Sequence, residues 1–397
     1  MTRFPALTGA LLVGWVCLAA GATIRVDGSG GADYATIDEG IEAASDGDTV
    51  LVAPGVYSGH RNRNLSFEGK NLAVLSEGGA GAAVIDCEGL ANNRAFVFQS
   101  GEDSTSVVSG FVIRDGAFAL GGGMSIVGGA SPAIDDCDFE GCAADRGGAV
   151  YVEVSAPSFR RCGFSGCTAT QRGGGIYCLE SSPTIVGCTF SDCDAPEGTG
   201  GAICCHVSSA PLISNCTFAG CDAVWGGALS CLSSSPHVEG SAFLRCTVTW
   251  YGSAVYCQQS SPSIVYCTLV GNGAPFDAGV FCLSGASPAI TNSIIAFGTE
   301  GAPVFAIDGD PWTTRSVLFA NAGGDSLAGS HADNLFTDPL LCDVTHDDVR
   351  LCSNSPCLPQ SPQNPWDQAV GARGQGCGNC VAPVEASTWG RIKFLFR

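Results

Sequence analysis

Two stretches of the chain share one pattern, Pro157-Ser-Phe-Arg-Arg-Cys-Gly-Phe-Ser-Gly-Cys167 and Pro183-Thr-Ile-Val-Gly-Cys-Thr-Phe-Ser-Asp-Cys193. Each begins with a proline, has an apolar residue two positions later and ends with Phe-x-x-Cys. The apolar residues alternate with polar ones and are interrupted by Gly and Ser, which is typical of short strands joined by turns. Because the second stretch begins 26 residues after the first, the pattern indicates a repeat.

The repeat continues through the middle of the chain. Seven prolines, each preceded by Ser or Ala, recur 25 to 28 residues apart: Pro132, Pro157, Pro183, Pro211, Pro236, Pro262 and Pro288. A Gly-rich block follows most of them, in forms such as Gly147-Gly-Ala-Val-Tyr151 and Gly173-Gly-Gly-Ile-Tyr177. The position four residues after each proline is occupied by Asp136, Arg161, Gly187, Asn215, Gly240, Tyr266 and Asn292. Five of these seven residues tolerate a left-handed backbone, so we expect a sharp bend at this position.

Three short strands in a period of about 26 residues fit one coil of a parallel β-helix. Each coil in such a solenoid hydrogen-bonds to the coils above and below it, so equivalent side chains form columns with a spacing of about 4.8 Å. The Ile residues two positions after the prolines and the Phe residues seven positions after them are expected to fill the interior. The predicted fold class is therefore all-β, a parallel solenoid.

Several motifs resemble those of known β-helix proteins. Gly200-Gly-Ala-Ile203, the Phe-x-x-Cys units and Leu269-Val-Gly-Asn272 resemble the GGAI and FxxN repeats of polymorphic outer-membrane proteins. The segment from Tyr34 to Tyr57 resembles the usual entry into the secreted right-handed β-helix proteins of the pectin-lyase superfamily. This resemblance covers roughly residues 24 to 375 and implies a right-handed helix. It says little about activity, because one fold hosts many functions.

The two ends of the chain are built differently. Arg3, an apolar run up to Ala20 and the small residues that follow predict a signal peptide over 1–22. Residues 23–60 are predicted to form an N-terminal cap and first strands, with a helix over 35–45 that begins with a Thr36 and Glu39 capping box. Coils are expected over 61–335, a last coil and irregular C-terminal cap over 336–381, and a tail over 382–397 that we interpret as a candidate surface-sorting or attachment signal.

Composition narrows the class of partner. The chain has 18 Lys and Arg against 38 Asp and Glu, a net charge of −20, which argues against nucleic acid as a partner. No stretch after the signal reaches the roughly 18 apolar residues of a spanning helix. We therefore expect an extracellular or cell-surface, outer-membrane-associated protein without a transmembrane segment in the mature chain.

The 23 cysteines mostly recur in columns. Free stacked thiols and disulfides between neighbouring coils both remain open, because matching Cα atoms lie within disulfide range while their parallel Cβ vectors hold the sulfurs apart. Zinc is not expected, since structural zinc sites need converging Cys-x2-4-Cys pairs and Cys377-Gly-Asn-Cys380 is a lone pair of this kind.

Catalytic motifs of the pectin-degrading relatives are matched only in fragments. Asp135-Asp136, Gly59-His60 and Arg391-Ile-Lys393 resemble such fragments, but the first has no Gly-His-Gly after it and the last lies beyond the predicted solenoid. We interpret them as coincidental. Asp46-Gly-Asp48 and Asp308-Gly-Asp310 are candidate calcium ligands, although a turn role is preferred for both. No other cofactor is expected.

The candidate binding residues are aromatic and basic. If the apolar residues of the Gly-rich block point inward, then Tyr151, Tyr177, Tyr256 and Phe281 point outward on the same sheet. Near the preceding turn lie Arg146, Arg172, Trp225, Trp250 and Tyr251, followed one coil later by Phe276. Exposed rings beside guanidinium groups predict a platform for sugar rings or acidic polysaccharide. Stacked aromatic residues also stabilise sheets, which is the simpler interpretation.

Three functions are therefore considered. The preferred one is a secreted or surface-displayed non-catalytic β-helix that serves adhesion, surface coating or glycan binding. The second is a polysaccharide lyase or glycoside hydrolase that acts on acidic polysaccharide. The third is a purely structural surface spacer. The oligomeric state is left open.

Overall fold

A computed structural model describes residues 21–380, and these residues form a right-handed parallel β-helix, as predicted. The chain passes in turn through three long parallel sheets, named sheets I, II and III. Sheet I contains Thr23–Val26, Thr49–Val52, Ala73–Ser76, Val107–Ser109, Ala133–Asp135, Ser158–Arg160, Thr184–Val186, Leu212–Ser214, His237–Glu239, Ser263–Val265, Ala289–Thr291, Trp312–Thr314 and Ser330–Ala332. Sheet II contains Gly55–Tyr57, Ala83–Asp86, Phe111–Arg114, Asp138–Glu140, Gly163–Ser165, Thr189–Ser191, Thr217–Ala219, Ala242–Leu244, Thr268–Val270, Ile294–Ala296 and Val317–Phe319. Sheet III contains Leu65–Ser66, Phe96–Phe98, Met124–Val127, Val150–Glu153, Ile176–Leu179, Ile203–His206, Leu229–Leu232, Val255–Gln258, Asp277–Leu283 and Ala302–Ile307.

Five central coils carry a fourth strand that the sequence pattern did not predict. These strands form sheet IV, between sheets II and III along the chain: Ala143–Arg146, Thr168–Arg172, Asp194–Thr199, Asp222–Trp225 and Thr247–Tyr251. Their pairing is interrupted by register shifts in every pair. These irregularities explain why no regular alternation of apolar and polar residues marks the segment.

The interior is filled by the predicted columns. The Phe column stacks nearly face to face, with ring centroids of Phe164 and Phe190 4.5 Å apart and those of Phe190 and Phe218 5.0 Å apart. All three rings are buried. Burying each Phe contributes about 1.5–3 kcal/mol, so this column is a main source of stability.

The predicted bends are confirmed at all seven positions. Gly187 has φ +65°, and Arg161 and Tyr266, which carry large side chains, have φ +53° and +52°. Close contact between neighbouring coils explains the glycines of the Gly-rich block. A Cβ on Gly174 would lie 2.3 Å from the carbonyl oxygen of Gly201 in the next coil, so only glycine permits this turn between sheets IV and III.

A short helix covers the N-terminal end of the solenoid. It spans Ile37–Ala43, shorter than the predicted 35–45, and begins with the expected capping box: Thr36 Oγ1 accepts from the Glu39 N–H. Gly40 in this helix lies against Val26 and Val50 of sheet I, because its missing Cβ leaves room for their side chains. The helix thus protects the first strand edge.

The cysteine columns contain thiols rather than disulfides between coils. Eighteen of the cysteines in residues 21–380 are buried and take part in neither disulfide. Burial raises the pKa of the Cys137 and Cys267 thiols to about 12, so both remain protonated at neutral pH.

One of these columns shows why Cys and Asn alternate in the same motif. The Cys167 thiol donates to the carbonyl oxygen of Phe139 in the preceding coil (3.5 Å), and the Asn272 amide donates to the equivalent oxygen of Phe243 (3.0 Å). Both side chains therefore satisfy the same buried carbonyl at the bend after sheet II.

The C-terminal segment forms a cap that folds back along the side of the solenoid. It contains a small sheet of Leu341–Asp343, Asp348–Cys352 and Gln375–Cys377, a 3-10 turn at Val344–His346 and two disulfides, Cys342–Cys377 and Cys352–Cys380. A second 3-10 turn, His60–Asn62, lies near the N-terminus.

This cap covers the outer face of sheet II. The Ala372 N–H donates to Thr268 Oγ1 (2.8 Å), and Arg373 one position later donates to the Gly240 carbonyl (3.1 Å) in the preceding coil. Leu244 and Val270 of sheet II pack against Val349 of the cap. The outward side chains of sheet II that lie under the cap, such as Leu244, Val270 and Ile294, are accordingly apolar.

Some predictions fall outside the described residues. These are most of the signal peptide over 1–22, the tail over 382–397 and the Arg391-Ile-Lys393 fragment. Within residues 21–380, no helix has the length and apolar character that would let it cross a membrane.

Candidate functional site

Four of the predicted binding residues lie in one column at the end of sheet IV. Strand pairing aligns Arg146 with Arg172, Arg172 with Thr199, Thr199 with Trp225 and Trp225 with Tyr251. We name these five residues the turn column. Four steps of about 4.8 Å give it a length of roughly 19 Å, with arginines at one end and aromatic residues at the other.

The outward column of sheet III lies beneath the turn column. It contains, in register, Tyr151, Tyr177, Cys204, Ser230, Tyr256 and Phe281. The four aromatic residues were expected to be exposed, and this expectation was wrong: Tyr151, Tyr177, Tyr256 and Phe281 are 3%, 0%, 6% and 1% exposed. The Gly-rich turn brings the end of sheet IV back toward sheet III, so the turn column covers them. They form the floor of the site rather than its surface.

The aromatic end does have exposed rings. Trp250 is 49% exposed and Phe276 is 46% exposed. Tyr251 stacks between Phe276 (centroids 5.1 Å apart) and the buried Phe281 (4.3 Å). Trp225, Trp250, Tyr251 and Phe276 are named the aromatic end. The buried Phe281 ring lies below Tyr251 and holds it in place. The aromatic end is therefore an apolar surface that is supported from beneath.

The arginine end contains a histidine that the sequence analysis missed. His206 Nδ1 lies 2.8 Å from the Tyr177 hydroxyl and 3.1 Å from Arg172 Nη1. Arg146 donates through Nε to Gln171 Oε1 (3.1 Å). Burial, with smaller contributions from Arg172 and Arg146, lowers the pKa of His206 below its ordinary 6.5, so the ring is neutral at pH 7.

Register is the only signal that could have found His206. It occupies the position of Leu179 and Leu232 in the neighbouring coils, two residues beyond the Tyr177 position in its own coil. Histidine occurs once in this column among the described strands of sheet III, so no repeat pattern marks it.

The charges at this end are unbalanced. Arg114, Arg161, Arg245 and Arg350 are each paired with an aspartate. Arg146 and Arg172 take part in none of the ion pairs found within residues 21–380. In a chain with net charge −20, these two guanidinium groups are the positive part of the candidate site.

The other candidate carboxylates serve turns. Asp136 has φ +51° and pairs with Arg161 of the next coil, which agrees with the turn role expected for it. Asp48 accepts from the Ser45 N–H (2.8 Å), and Asp46 accepts from the Asn71 N–H (2.9 Å). Asp310 accepts from the Ser330 N–H (3.1 Å). These hydrogen bonds give the carboxylates of both Asp-Gly-Asp motifs a role in the backbone structure, and calcium binding at them stays a prediction.

Comparison with known proteins supports the fold. The family model for the right handed beta helix region matches residues 122–295. No curated protein matches the sequence significantly. The more specific likeness to polymorphic outer-membrane repeats stays a prediction.

Three solved structures are similar to the chain at low identity. Pectate lyase Pel9A aligns with a TM-score of 0.43 and 12% identity, over 90% of this chain and 98% of that one. The A-module of Azotobacter vinelandii mannuronan C-5 epimerase AlgE4 aligns with a TM-score of 0.37 and 12% identity, over 73% and 89%. A rhamnogalacturonan lyase aligns with a TM-score of 0.39 and 10% identity, over 95% and 100%. At these values the likeness carries no information about activity.

Proposed function

We propose that this chain is a secreted or surface-displayed β-helix that binds acidic polysaccharide along the turn column without cleaving it. The single observation that carries the proposal is the register of this column, which joins an arginine pair to a supported, exposed aromatic surface. The tail over 382–397 is proposed to attach the protein to the cell surface.

The aromatic end is suited to sugar rings. Stacking on a hexose needs a flat apolar face that is exposed and does not change its orientation, and tryptophan and tyrosine supply such faces at low cost in side-chain entropy. Trp250 and Phe276 provide exposed faces, and Tyr251 is fixed between two other rings.

The arginine end is suited to carboxylates or sulfates. A guanidinium group presents planar paired donors that match an acidic sugar substituent. Arg146 and Arg172 lie on adjacent coils, so their spacing of about 4.8 Å at the backbone lets one chain of sugars contact both. A polymer that follows the solenoid axis meets the arginines first and the aromatic end within the same 19 Å, roughly four coil steps.

Retention of the protein on immobilised polygalacturonate tests the proposal. Replacing Trp250 and Phe276 together by Ala should lower retention at least about tenfold, because stacking on each ring contributes about 1 kcal/mol. The control is Trp312→Ala on sheet I, which removes a ring that is 44% exposed and outside the column. Equal retention of the two variants would refute the aromatic contact.

The arginine end favours a second candidate, a lyase. Abstraction of a proton beside a uronate carboxylate needs a neutral base and a positive group on the carboxylate. Neutral His206 and Arg172 supply this pair of groups 3.1 Å apart. Release of unsaturated uronate product that disappears in His206→Gln would establish the lyase and refute the non-catalytic proposal. If the protein is not retained on the polysaccharide and releases no product, the structural spacer is favoured.

A further inference from the structure

Four cysteines from different parts of the C-terminal cap form one cluster, in which three sulfurs converge and the fourth, that of Cys380, lies beside Cys352 and Cys377. Cys342 lies in the strand Leu341–Asp343, Cys352 ends the strand Asp348–Cys352, and Cys377 ends the strand Gln375–Cys377. Cys380 follows three residues later and is bonded to Cys352. The sulfurs of Cys342, Cys352 and Cys377 all lie within 4.8 Å of one another. Outside these four cysteines, no three His, Cys, Asp or Glu side chains of residues 21–380 converge closely enough to hold a metal ion.

We propose that these four thiols, in the reduced chain, form a tetrahedral four-thiolate site for Zn²⁺ that closes the cap in place of the two disulfides. In the structure all four sulfurs are bonded in the two disulfides. Filling it with zinc involves no redox step: four S–H bonds are replaced by four Zn–S bonds, and four protons pass to the solvent. The metal-bound and disulfide forms exclude each other, because both use all four sulfurs.

The sulfur positions approach those of a zinc centre. A Zn–S bond of about 2.3 Å in a tetrahedron places the sulfurs roughly 3.8 Å apart. Cys377 Sγ lies 3.6 Å from Cys352 Sγ and 3.8 Å from Cys380 Sγ. The bonded partners have Cα separations of 6.0 and 5.7 Å, so side-chain rotation can move their sulfurs apart while the backbone stays in place.

The structure changes the interpretation of the Cys-x2-Cys pair near the C-terminal end of the cap. Cys377-Gly-Asn-Cys380 was a lone Cys-x2-Cys pair, and for this reason a zinc site was not expected. The cap sheet supplies the missing pair, because the antiparallel strands Leu341–Asp343 and Asp348–Cys352 bring Cys342 and Cys352 beside it. The convergence depends on tertiary structure that the sequence pattern does not show.

Hydrogen bonds hold the cluster independently of the S–S bonds. Asn354 accepts from the Cys380 N–H (2.9 Å) and donates to the Cys380 carbonyl (2.8 Å). The Ser353 N–H donates to the Gly378 carbonyl (3.1 Å), and the Cys352 N–H donates to the Leu340 carbonyl (2.9 Å). The backbone positions of the ligands are therefore fixed by contacts that remain when the chain is reduced.

The thiols of the solenoid columns do not form a comparable site. Each column contributes one cysteine per coil, and the thiols of the two columns at the bends are engaged with carbonyl groups, as Cys193 is with the Phe164 oxygen (3.4 Å). Cys357 is also in the cap, but it is free, buried and outside the cluster. It provides a matched control.

Cobalt substitution tests the site. The full chain is reduced with a phosphine under anaerobic conditions and titrated with Co²⁺ alone. The proposal predicts one Co²⁺ per chain, with the intense visible bands and the thiolate-to-metal charge-transfer band of tetrahedral thiolate coordination, and their loss when Zn²⁺ is added. Absence of these bands would overturn it.

Variants distinguish the cap from the columns. The double variant Cys342→Ser with Cys380→Ser should lose the bands, whereas Cys357→Ser should keep them. Bands that persist in the double variant, or that vanish equally in Cys357→Ser, would place the metal elsewhere and overturn the proposal. Cys380→His keeps a fourth ligand, so it should still bind Co²⁺ with a weaker charge-transfer band. Binding of Co²⁺ by Cys380→His would show that the double variant loses the bands because it lacks ligands and not because it fails to fold. Failure of Cys380→His to bind Co²⁺ would count against the site.

Discussion

At the scale of single residues, the bends between sheets I and II show how far sequence reasoning extends. Gly, Asn and Asp predicted the left-handed backbone at five of seven positions, and the structure has it at all seven. Arg161 and Tyr266 adopt it as well, because strand pairing on both sides leaves the bend no other conformation. Intrinsic preference therefore predicted the feature, while the stack of coils imposed it where preference was absent.

Gly187 allows the backbone cost of such a bend to be measured. A Cβ at this position has space, since the nearest atom is Arg161 Cγ at 3.9 Å, so Gly187→Ala adds left-handed strain without a clash. We expect a loss of about 1–2 kcal/mol in the free energy of unfolding by urea. Gly378→Ala is the control, because Gly378 has open space and no positive φ, and it should change stability little. Equal effects would contradict the strain argument.

His206 predicts the pH dependence of polysaccharide retention. Its pKa lies below 6.5, because burial and the nearby Arg172 and Arg146 disfavour the charged ring. When the pH falls through this lowered pKa, the ring gains a positive charge, so retention on polygalacturonate should increase until the polymer itself is protonated. His206→Gln should remove the increase. An unchanged profile in this variant would show that His206 does not contribute.

At the scale of elements, the periodic parts of the coil could be predicted and the irregular parts could not. The Ile and Phe columns recur every 25 to 28 residues, so the sequence predicted both their existence and their burial. Sheet IV has shifted register, and the side chains at its end cover the sheet III column. For this reason Tyr177 was correctly predicted to point outward from the solenoid interior and wrongly expected to be exposed.

The cysteine columns predict a thiol count. Alkylation of the denatured, unreduced protein should modify 18 of the cysteines in residues 21–380 and leave four protected, namely Cys342, Cys352, Cys377 and Cys380. The reason is that the column cysteines take part in neither disulfide, and thiols such as Cys167 and Cys193 already donate to carbonyl oxygens. Peptide mass mapping gives the count and the positions. Protection of column residues such as Cys167 and Cys193 would contradict the free-thiol assignment.

At the scale of the whole molecule, the cap is a lateral clamp and not only an end plug. Its segment around Gly371 to Arg373 crosses from the coil of Asn292 to the coil of Gly240. The sequence predicted an irregular C-terminal cap but not where it lies, because the contacts join residues more than 100 positions apart. The apolar outward residues of sheet II were the available signal.

A buried charge under the cap should release it. Leu244 is 2% exposed between sheet II and the cap, so Leu244→Asp should weaken docking by at least about 3 kcal/mol through lost burial and an unpaired charge. Faster tryptic cleavage after Arg350 and Arg373 would report the release. The control is Ser165→Asp, in the same outward column of sheet II but uncovered by the cap. Similar cleavage rates in the two variants would contradict a lateral clamp.

The most direct test of the proposed function is an experimental structure of the protein with a bound oligogalacturonate. We expect a sugar chain that lies along the turn column, with one ring stacked on Trp250 or Phe276 and a carboxylate hydrogen-bonded to Arg146 or Arg172. An oligosaccharide bound on another face of the solenoid, with both ends of the turn column free, would contradict it.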